Sequence, residues 1–141
     1  MAKLSKNFSD YEFACSCGCK SEFKVDGKLV NILQGIRDVA GPMTVTSGCR
    51  CAKSNAATVG AAPRSWHIPR KHVLHAADVK LLDPTRRDLP TAIHMYVVAD
   101  QLDAHGLGLY IDRIHVDTRP VTVFSGADRA RWIDKDVKWK W

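Results

Sequence analysis

The sequence lacks the long apolar segments that would place it in or across a membrane. No run of 18 apolar residues occurs, so no membrane-spanning helix is predicted. The first residues, MAKLSKNFSDYEFACSCGC, contain lysine but not the apolar core of a secretory signal, and we therefore expect synthesis in the cytoplasm without a signal peptide. Internal repeats and low-complexity segments are also missing, so 141 residues of 45% hydrophobic composition are expected to form one soluble domain.

The chain is positively charged, with a formal net charge of +6 and a basic, tryptophan-rich C-terminal end over residues 126–141. A positive charge favours anionic partners, such as nucleic acid, anionic lipid or the acidic polymers of a bacterial envelope. It is equally compatible with a soluble protein that has a basic surface and no such partner. The charge by itself therefore does not decide between these classes.

Five cysteines occur in two groups, CSCGC near the start and CRC in the middle of the chain. An odd number cannot pair completely, and thiols of cytoplasmic proteins stay reduced, so a disulfide framework is not expected. The two groups could meet and bind a structural zinc through thiolates, although C-x-C is tighter than the usual C-x2-C spacing. The alternative is a set of reduced thiols with at most one adventitious disulfide. The residues are Cys15, Cys17, Cys19, Cys49 and Cys51.

Hydrophobic spacing predicts two main helices. The first covers residues 26–42 and ends at a Gly-Pro pair, and the second covers residues 89–106. The segment YEFA, residues 11–14, predicts at most a short helix after a Ser-Asp cap. Residues 49–75 are polar and aperiodic, which predicts a long loop, and loops of this length are usually functional.

Alternating and β-branched stretches predict five short strands. They are MTVTSG (43–48), AADVKLL (76–82), LGLYID (107–112), RIHVDT (113–118) and VTVFS (121–125). Three of the five follow the second helix, and this order is typical of an α+β domain. We therefore predict a small, mainly antiparallel sheet with helices packed on it.

One stretch, SWHIPRKHVLHAADVK, concentrates side chains that bind metals. Its candidates are His67, His72, His75 and Asp78. A catalytic zinc seldom uses more than three protein side chains, so at least one of the four is a bystander. The late strand RIHVDT adds His115 as a further candidate. The residues alone leave open which of the five bind.

A zinc hydrolase also needs a carboxylate that takes a proton from water and a cation that holds the developing oxyanion. Asp112 lies three positions before His115, and Arg50 follows the strand end TSG. Residues three apart in a strand point to opposite faces, so Asp112 and His115 can share a site only if the chain turns or bulges near Asp112. Asp117, two positions after His115, lies on the same face and is either a partner of the site or a surface charge.

The motifs SGCRC, SWH, HAADV and GLGLYIDRIHVDTR together resemble the zinc peptidases of the D-alanyl-D-alanine carboxypeptidase superfamily. Relatives in that superfamily include vancomycin-resistance D,D-dipeptidases and phage L-alanyl-D-glutamate endolysins. The resemblance covers about residues 4–118. It implies a hedgehog/D,D-peptidase-like fold of the α+β class and a single zinc peptidase domain over residues 1–141, of which residues 1–25 form a cysteine-containing N-terminal segment.

These families combine an S-x-H-x6-D pattern with a later [D/E]-x-x-H and with an arginine in an S-G-x-R turn. The resemblance implies His67, Asp78 and His115 as the ligands of one catalytic zinc ion. It also implies Asp112 as the general base and Arg50 as a clamp for the substrate or the oxyanion.

Further side chains near this pattern are expected to orient the ligands or to contact substrate, namely Ser65, Trp66, His75 and Asp117. The sequence departs from the family pattern at one point. Asp78 follows the first histidine by eleven positions where the family usually has seven, so four extra residues within IPRKHVLH must loop out. This insertion affects the geometry of the loop more than the identity of the ligands.

The leading hypothesis is a monomeric zinc metallopeptidase that hydrolyses peptidoglycan stem peptides, as a D,D-carboxypeptidase or an L-Ala-D-Glu endopeptidase. A phage endolysin or related lytic enzyme would be made in the cytoplasm and would act on the cell wall or in the periplasm. The alternative is a non-catalytic zinc-binding module of the same fold that recognises the cell wall. A basic zinc nuclease is disfavoured because no strand-helix metal motif surrounds the histidines, so nucleic acid is not an expected partner.

Overall fold

The computed structural model describes residues 2–19, 22–121 and 129–138 of the chain. Its helices are two short 3₁₀ helices, Asp10–Phe13 and Pro84–Arg86, and the α-helices α1 (Gly27–Ala40), α2 (Ala52–Ala57) and α3 (Leu89–Gln101). Its strands are β1 (Lys24–Val25), β2 (Met43–Ser47), β3 (Val73–Leu74), β4 (Ala76–Leu81), β5 (Gly106–Leu109), β6 (Ile114–Asp117) and β7 (Ala130–Ile133). No helix in these three ranges is long and apolar enough to cross a membrane.

Helix α1 confirms the first predicted helix, and its sequence explains where it begins and ends. Asp26 caps the N-terminus, because its carboxylate accepts a hydrogen bond from Leu29 N at 3.3 Å. Leu29, Leu33 and Ile36 recur at helical spacing and are completely buried. The helix ends at Gly41, whose φ of 109° lies in the region that favours glycine.

Helix α3 confirms the second predicted helix but ends well before the predicted boundary. Asp88 caps it by accepting a hydrogen bond from Thr91 N at 3.0 Å, and Pro90 occupies its first turn. Its last residue is Gln101, since Asp103 adopts a positive φ of 71° that a helix cannot continue. The remaining residues of the predicted range form a turn and the start of β5.

Five strands form one sheet in the order β2-β4-β6-β5-β7. Neighbouring strands are antiparallel except for the outer pair of β5 and β7, which is parallel. This confirms a small α+β domain with a mainly antiparallel sheet. The strands predicted over 43–48, 76–82, 107–112 and 113–118 correspond to β2, β4, β5 and β6. The strand predicted over 121–125 falls, except for its first residue, outside the described residues, and no sequence pattern predicts β7.

The prediction of an irregular loop over residues 49–75 is wrong for two short elements. Helix α2 lies in this range, and so does the two-residue strand β3, which pairs in parallel with β1. Both are too short for hydrophobic periodicity to reveal them, and tertiary contacts hold them. The buried Asn55 side chain of α2, for example, donates from Nδ2 to the Ala62 carbonyl at 2.8 Å.

The sheet has one apolar face and one polar face. Along β4 and β6, Val79, Ile114 and Val116 belong to the hydrophobic core, which also contains residues of α1 and α3. Asp78 and His115 alternate with them and point to the opposite face, as the two-residue period of a strand requires. Polar groups of two neighbouring strands therefore meet on the side of the sheet that faces away from the core.

The insertion between the predicted ligands is accommodated as a tight, exposed turn. Arg70 and Val73 exchange two backbone hydrogen bonds, each of 2.9 Å, around Lys71 and His72. Both central residues have a positive φ, 50° and 62°, a combination that is typical of a type I′ turn. The segment that contains the four extra residues thus forms a hairpin tip that leads into β3.

Replacing Lys71 with Asn and His72 with Gly should stabilise the protein, because neither native residue favours a positive φ. We expect the free energy of unfolding to rise by about 1 kcal/mol and the melting temperature to rise by roughly 3 °C. Urea denaturation and thermal unfolding followed by circular dichroism measure the two quantities. A lower melting temperature for the double variant would contradict the type I′ assignment.

Candidate active site

An open cavity of about 1020 Å³ lies on the polar face of the sheet. Strands β4 and β6 contribute Asp78 and His115 to its lining, and the loop before β3 contributes His67. Arg50 lines it from residues 48–51, a segment that we call the strap. The cavity therefore brings together residues that are far apart in the sequence.

Three predicted ligands converge in this cavity and form what we call the histidine–aspartate cluster. Asp78 and His115 are direct partners in the β4–β6 register, which brings His115 Nδ1 to 2.9 Å from Asp78 Oδ1. His67 reaches in from the loop and places Nε2 at 3.2 Å from the same oxygen. One ligand atom from each residue lies within 4.8 Å of the other two. His67 is 1% exposed and His115 is 7% exposed, so the cluster is largely removed from water.

The outer ring nitrogens of both histidines have hydrogen-bond acceptors of their own. His67 Nδ1 lies 2.8 Å from the Gly48 carbonyl, and His115 Nε2 lies 2.7 Å from Asp117 Oδ2. A neutral histidine that donates from these atoms turns an unprotonated nitrogen toward Asp78. The cluster then presents two ring nitrogens and a carboxylate with no proton between them, which is a donor set suited to zinc.

Two glycines of β5 make room for this arrangement. Gly106 pairs with Asp117, and Gly108 pairs with His115, in the β5–β6 register. A Cβ atom at Gly106 would overlap the Asp117 carboxylate, and one at Gly108 would overlap the indole of Trp132. The alternation of glycine in GLGLY is the signal in the sequence that could have revealed both positions.

Trp132 and Arg119 form the wall beside His115, and neither belongs to the predicted site. The Trp132 ring lies 5.0 Å from the His115 ring, and its Nε1 donates to Tyr110 Oη at 3.2 Å. Arg119 forms an ion pair with Asp117 at 2.6 Å. Trp132 comes from β7, whose parallel pairing with β5 no local sequence pattern predicts.

The other residues predicted near His67, the first predicted ligand, contact different parts of the site. Trp66 lines the cavity, and the guanidinium carbon of Arg70 lies 3.4 Å from the centroid of its ring. Ser65 Oγ accepts a hydrogen bond from His67 N at 3.2 Å. His75 is not among the described residues that line the cavity, and its ring meets the Trp66 ring edge-on at 6.0 Å. Ser65 thus supports His67, and His75 supports Trp66.

The chain turns between β5 and β6, as a shared site for Asp112 and His115 requires. Tyr110 N donates to the Arg113 carbonyl at 3.0 Å across this turn, so the residues between them leave the strand geometry. Asp112 lines the same cavity as His115. Its side chain is 35% exposed and accepts a hydrogen bond from Arg113 Nη1 at 3.0 Å.

Arg50 lines the cavity, and one of its hydrogen-bond donors is buried without a partner among the described residues. Its backbone N–H donates to the His67 carbonyl at 2.8 Å, which ties the strap to the loop that carries the first ligand. Its Nη1 lies 3.4 Å from Asn55 Oδ1, whereas Nε is buried and has no partner among the described residues. A buried guanidinium donor without a partner is energetically costly.

Four of the five cysteines in the two motifs lie close together. The sulfurs of Cys15, Cys17, Cys19 and Cys51 lie within 4.8 Å of one another. Cys49 is 2% exposed, belongs to the hydrophobic core and is not a member of this group. Burial raises the pKa of the Cys49 thiol to about 12, with a smaller contribution from Cys15, so Cys49 stays protonated at neutral pH.

Comparison of the sequence with protein-family models identifies the family. The model described as Peptidase M15 matches residues 6–117, a range that contains the whole histidine–aspartate cluster. The chain belongs to the peptidase M15 family. This places it in the zinc D-Ala-D-Ala carboxypeptidase superfamily, confirms the resemblance of the motifs and supports a metallopeptidase. No curated protein and no solved structure matches the chain significantly.

In this M15 peptidase, neighbouring charges shift the pKa values of the cluster. Burial raises the pKa of Asp78, but hydrogen bonds with His115 and His67 outweigh burial and hold it below its ordinary range. Burial also raises the pKa of Asp117, and hydrogen bonds with Arg119 and His115 reverse that shift. Burial lowers the pKa of His115, but its bonds with Asp117 and Asp78 raise it to about 9. Without a metal ion, His115 is therefore protonated at neutral pH.

Asp117→Asn should weaken zinc binding by about 10- to 100-fold, because the ionised acceptor that orients His115 and raises its basicity is lost. Competition with a chromophoric chelator measures the affinity. Asp38→Asn, which alters an exposed carboxylate on α1, is the matched control and should leave the affinity unchanged. Equal zinc affinities for Asp117→Asn and the wild type would contradict the orienting role.

The metal-free M15 peptidase should lose stability as the pH rises from about 6.5 toward 9. The folded pKa of His115 lies above its unfolded value, so its contribution is complete below the unfolded pKa and is lost as the pH approaches the folded one. We expect the free energy of unfolding to fall by roughly 1–3 kcal/mol over this window.

Urea titrations of the chelator-treated protein at several pH values measure this dependence. His115→Gln should remove the slope, and His94→Gln, at an exposed position of α3, should retain it. An undiminished slope in His115→Gln would assign the effect to another group.

Proposed function

We propose that this M15 peptidase is a zinc-dependent hydrolase of peptidoglycan stem peptides, acting as a D,D-carboxypeptidase or an L-Ala-D-Glu endopeptidase. The observation that carries the proposal is the convergence of His67, Asp78 and His115 in a cavity that Asp112 and Arg50 also line. These residues supply a metal-binding donor set, a carboxylate for proton transfer and a cation for anionic groups. The proposal includes a single, monomeric domain with a hedgehog/D,D-peptidase-like fold, in a phage endolysin or a related lytic enzyme.

The side chains of the histidine–aspartate cluster fit a zinc ion. Gly48 and Asp117 occupy the outer nitrogens of the two rings, so His67 Nε2, His115 Nδ1 and an oxygen of Asp78 would be the ligands. When bound, zinc would polarise the scissile carbonyl and acidify the attacking water. Three protein ligands are the usual number at a catalytic zinc site, where a further position serves water or substrate.

Asp112 would act as the general base. Its carboxylate enters the cavity from the β5–β6 turn with 35% of the side chain exposed, so water and substrate can both reach it. Arg113 donates to one carboxylate oxygen at 3.0 Å and leaves the other for proton transfer. The carboxylate would take a proton from the attacking water and deliver it to the leaving amine.

Four arginines line the cavity beside four aspartates, and they could bind the carboxylates of a substrate. These arginines are Arg50, Arg64, Arg113 and Arg119. A guanidinium can hold a carboxylate through two parallel hydrogen bonds. Arg50 lines the cavity and is bonded through its backbone to His67, so it would clamp the substrate carboxylate or the oxyanion. Peptidoglycan stem peptides carry such carboxylates at D-Glu and at the terminal D-Ala. The net charge of +6 would also attract the protein to the anionic polymers of the envelope.

Digestion of purified peptidoglycan, followed by mass spectrometry of the released fragments, tests the activity. Release of D-Ala would identify a D,D-carboxypeptidase, and cleavage between L-Ala and D-Glu would identify an endopeptidase. Either activity should disappear after chelation and return when zinc is added. A folded, zinc-loaded protein that binds peptidoglycan but releases no fragment would contradict the proposal and support a non-catalytic module that recognises the cell wall.

Asp112→Asn should lower the rate of fragment release by about 10²- to 10⁴-fold, because an amide cannot accept the proton. The zinc content should remain that of the wild type, since Asp112 lies outside the proposed ligand set. Asp136→Asn removes another carboxylate that lines the cavity and should retain the wild-type rate. Equal rates for Asp112→Asn and the wild type would exclude Asp112 as the base.

A further inference from the structure

Four cysteines form a second group of side chains that could hold a metal ion, which we call the thiol cluster. Cys15 Sγ lies 3.2 Å from Cys17 Sγ, and Cys17 Sγ lies 3.6 Å from Cys51 Sγ. All four sulfurs, including that of Cys19, lie within 4.8 Å of one another. The sulfurs of a zinc tetrathiolate are about 3.8 Å apart, given a Zn–S bond of about 2.3 Å. The Cys17–Cys51 separation is close to that value and the Cys15–Cys17 separation is somewhat shorter, while both are far longer than the roughly 2.05 Å of a disulfide bond.

Backbone contacts bring the two cysteine motifs together without help from the thiols. Cys49 N donates to the Phe13 carbonyl at 2.8 Å, which places the strap beside the end of the first 3₁₀ helix. A Cβ atom at Gly48 would lie 2.6 Å from the backbone of Phe13, so only glycine permits this approach. Gly18, with a φ of 73°, donates to the Cys15 carbonyl at 3.2 Å and folds CSCGC back on itself. The folded backbone therefore holds the thiols close together.

We propose that Cys15, Cys17, Cys19 and Cys51 bind a second zinc ion, which has a structural role. Four thiolates complete the tetrahedral coordination of zinc and leave no position for water, which distinguishes a structural site from a catalytic one. Thiolates also select a soft ion such as Zn²⁺ over Mg²⁺ or Ca²⁺. The inference rests on the thiol cluster alone and does not depend on the proposed peptidase activity.

This second site would anchor the strap that supports the first ligand of the active site. Cys51 ends the strap, and Gly48 begins it and accepts the hydrogen bond from His67 Nδ1. Between them, Arg50 donates its backbone N–H to the His67 carbonyl. Ser16, which lies within CSCGC, lines the active-site cavity. A zinc ion in the thiol cluster would therefore fix both the support of His67 and one part of the cavity wall.

Metal analysis of the purified, reduced protein tests for the second ion. The wild type should contain two zinc ions per chain, and Cys17→Ser and Cys51→Ser should each contain one. His67→Ala should also retain one, and its combination with Cys17→Ser should retain none. Cys49→Ala is the matched control outside the thiol cluster and should retain two.

These variants separate failure of this inference from failure of the proposed function. A single zinc ion in the wild type that is lost in His67→Ala would overturn the second site and leave the first one intact. Two zinc ions in Cys17→Ser would also overturn the second site. One zinc ion that is lost in Cys17→Ser but kept in His67→Ala would support the second site and count against the first.

Two measurements on the wild-type chain keep the test independent of how the cysteine variants fold. A mercurial thiol reagent should release one equivalent of zinc, and substitution with Co²⁺ should give thiolate-to-cobalt charge-transfer absorption in the near ultraviolet. His67→Ala should show both signals unchanged, because its thiol cluster is intact. Absence of the charge-transfer band, or a disulfide within the cluster in the freshly purified protein, would overturn the proposal.

Discussion

The candidate active site depends on the register between β4 and β6. This pairing sets Asp78 directly opposite His115, and the core on the other face of the sheet keeps it there. A shift by one residue would turn both side chains into the core and expose Val79, Ile114 and Val116, since successive residues of a strand face opposite sides. Each of these apolar side chains contributes about 1.5–3 kcal/mol by its burial, so the shift is strongly disfavoured. The hydrophobic core thus positions the metal-binding groups as well as stabilising the fold.

His67 is the member of the cluster that the sheet does not position. Three contacts from other parts of the chain hold it: its ring meets the Gly48 carbonyl, its own carbonyl accepts from Arg50, and its N–H donates to Ser65. Two of these contacts come from the strap, which continues into Cys51. A distortion of the strap would therefore displace one proposed ligand and leave the two on the sheet in place, so an anchor at Cys51 would matter for the site.

Asp117 orients the buried ring of His115, and its own buried charge needs partners. Its carboxylate is completely buried, and a buried charge is unfavourable unless it is paired. Arg119 supplies the opposite charge at 2.6 Å, and His115 supplies a second hydrogen bond at 2.7 Å. Gly106 supplies the space, because any Cβ atom there would overlap the carboxylate. The network therefore fixes the orientation of the His115 ring through a carboxylate whose own charge is paired.

The sequence predicts the two long helices, four of the five strands of the main sheet and, through the resemblance of its motifs, the family and the expected ligand set. These features depend on local spacing, such as the apolar period of α1 or the short pattern around His115. The folded chain is needed to show how the insertion closes, that the chain turns at Asp112, and that β7 brings Trp132 against His115. It is also needed to show which four of the five cysteines meet. The packing of β7 and the meeting of the cysteines join residues that are distant in the sequence, and no periodicity along one segment records which other segment will pack against it. The two turns are local, but neither contains the glycine or proline that usually marks a turn.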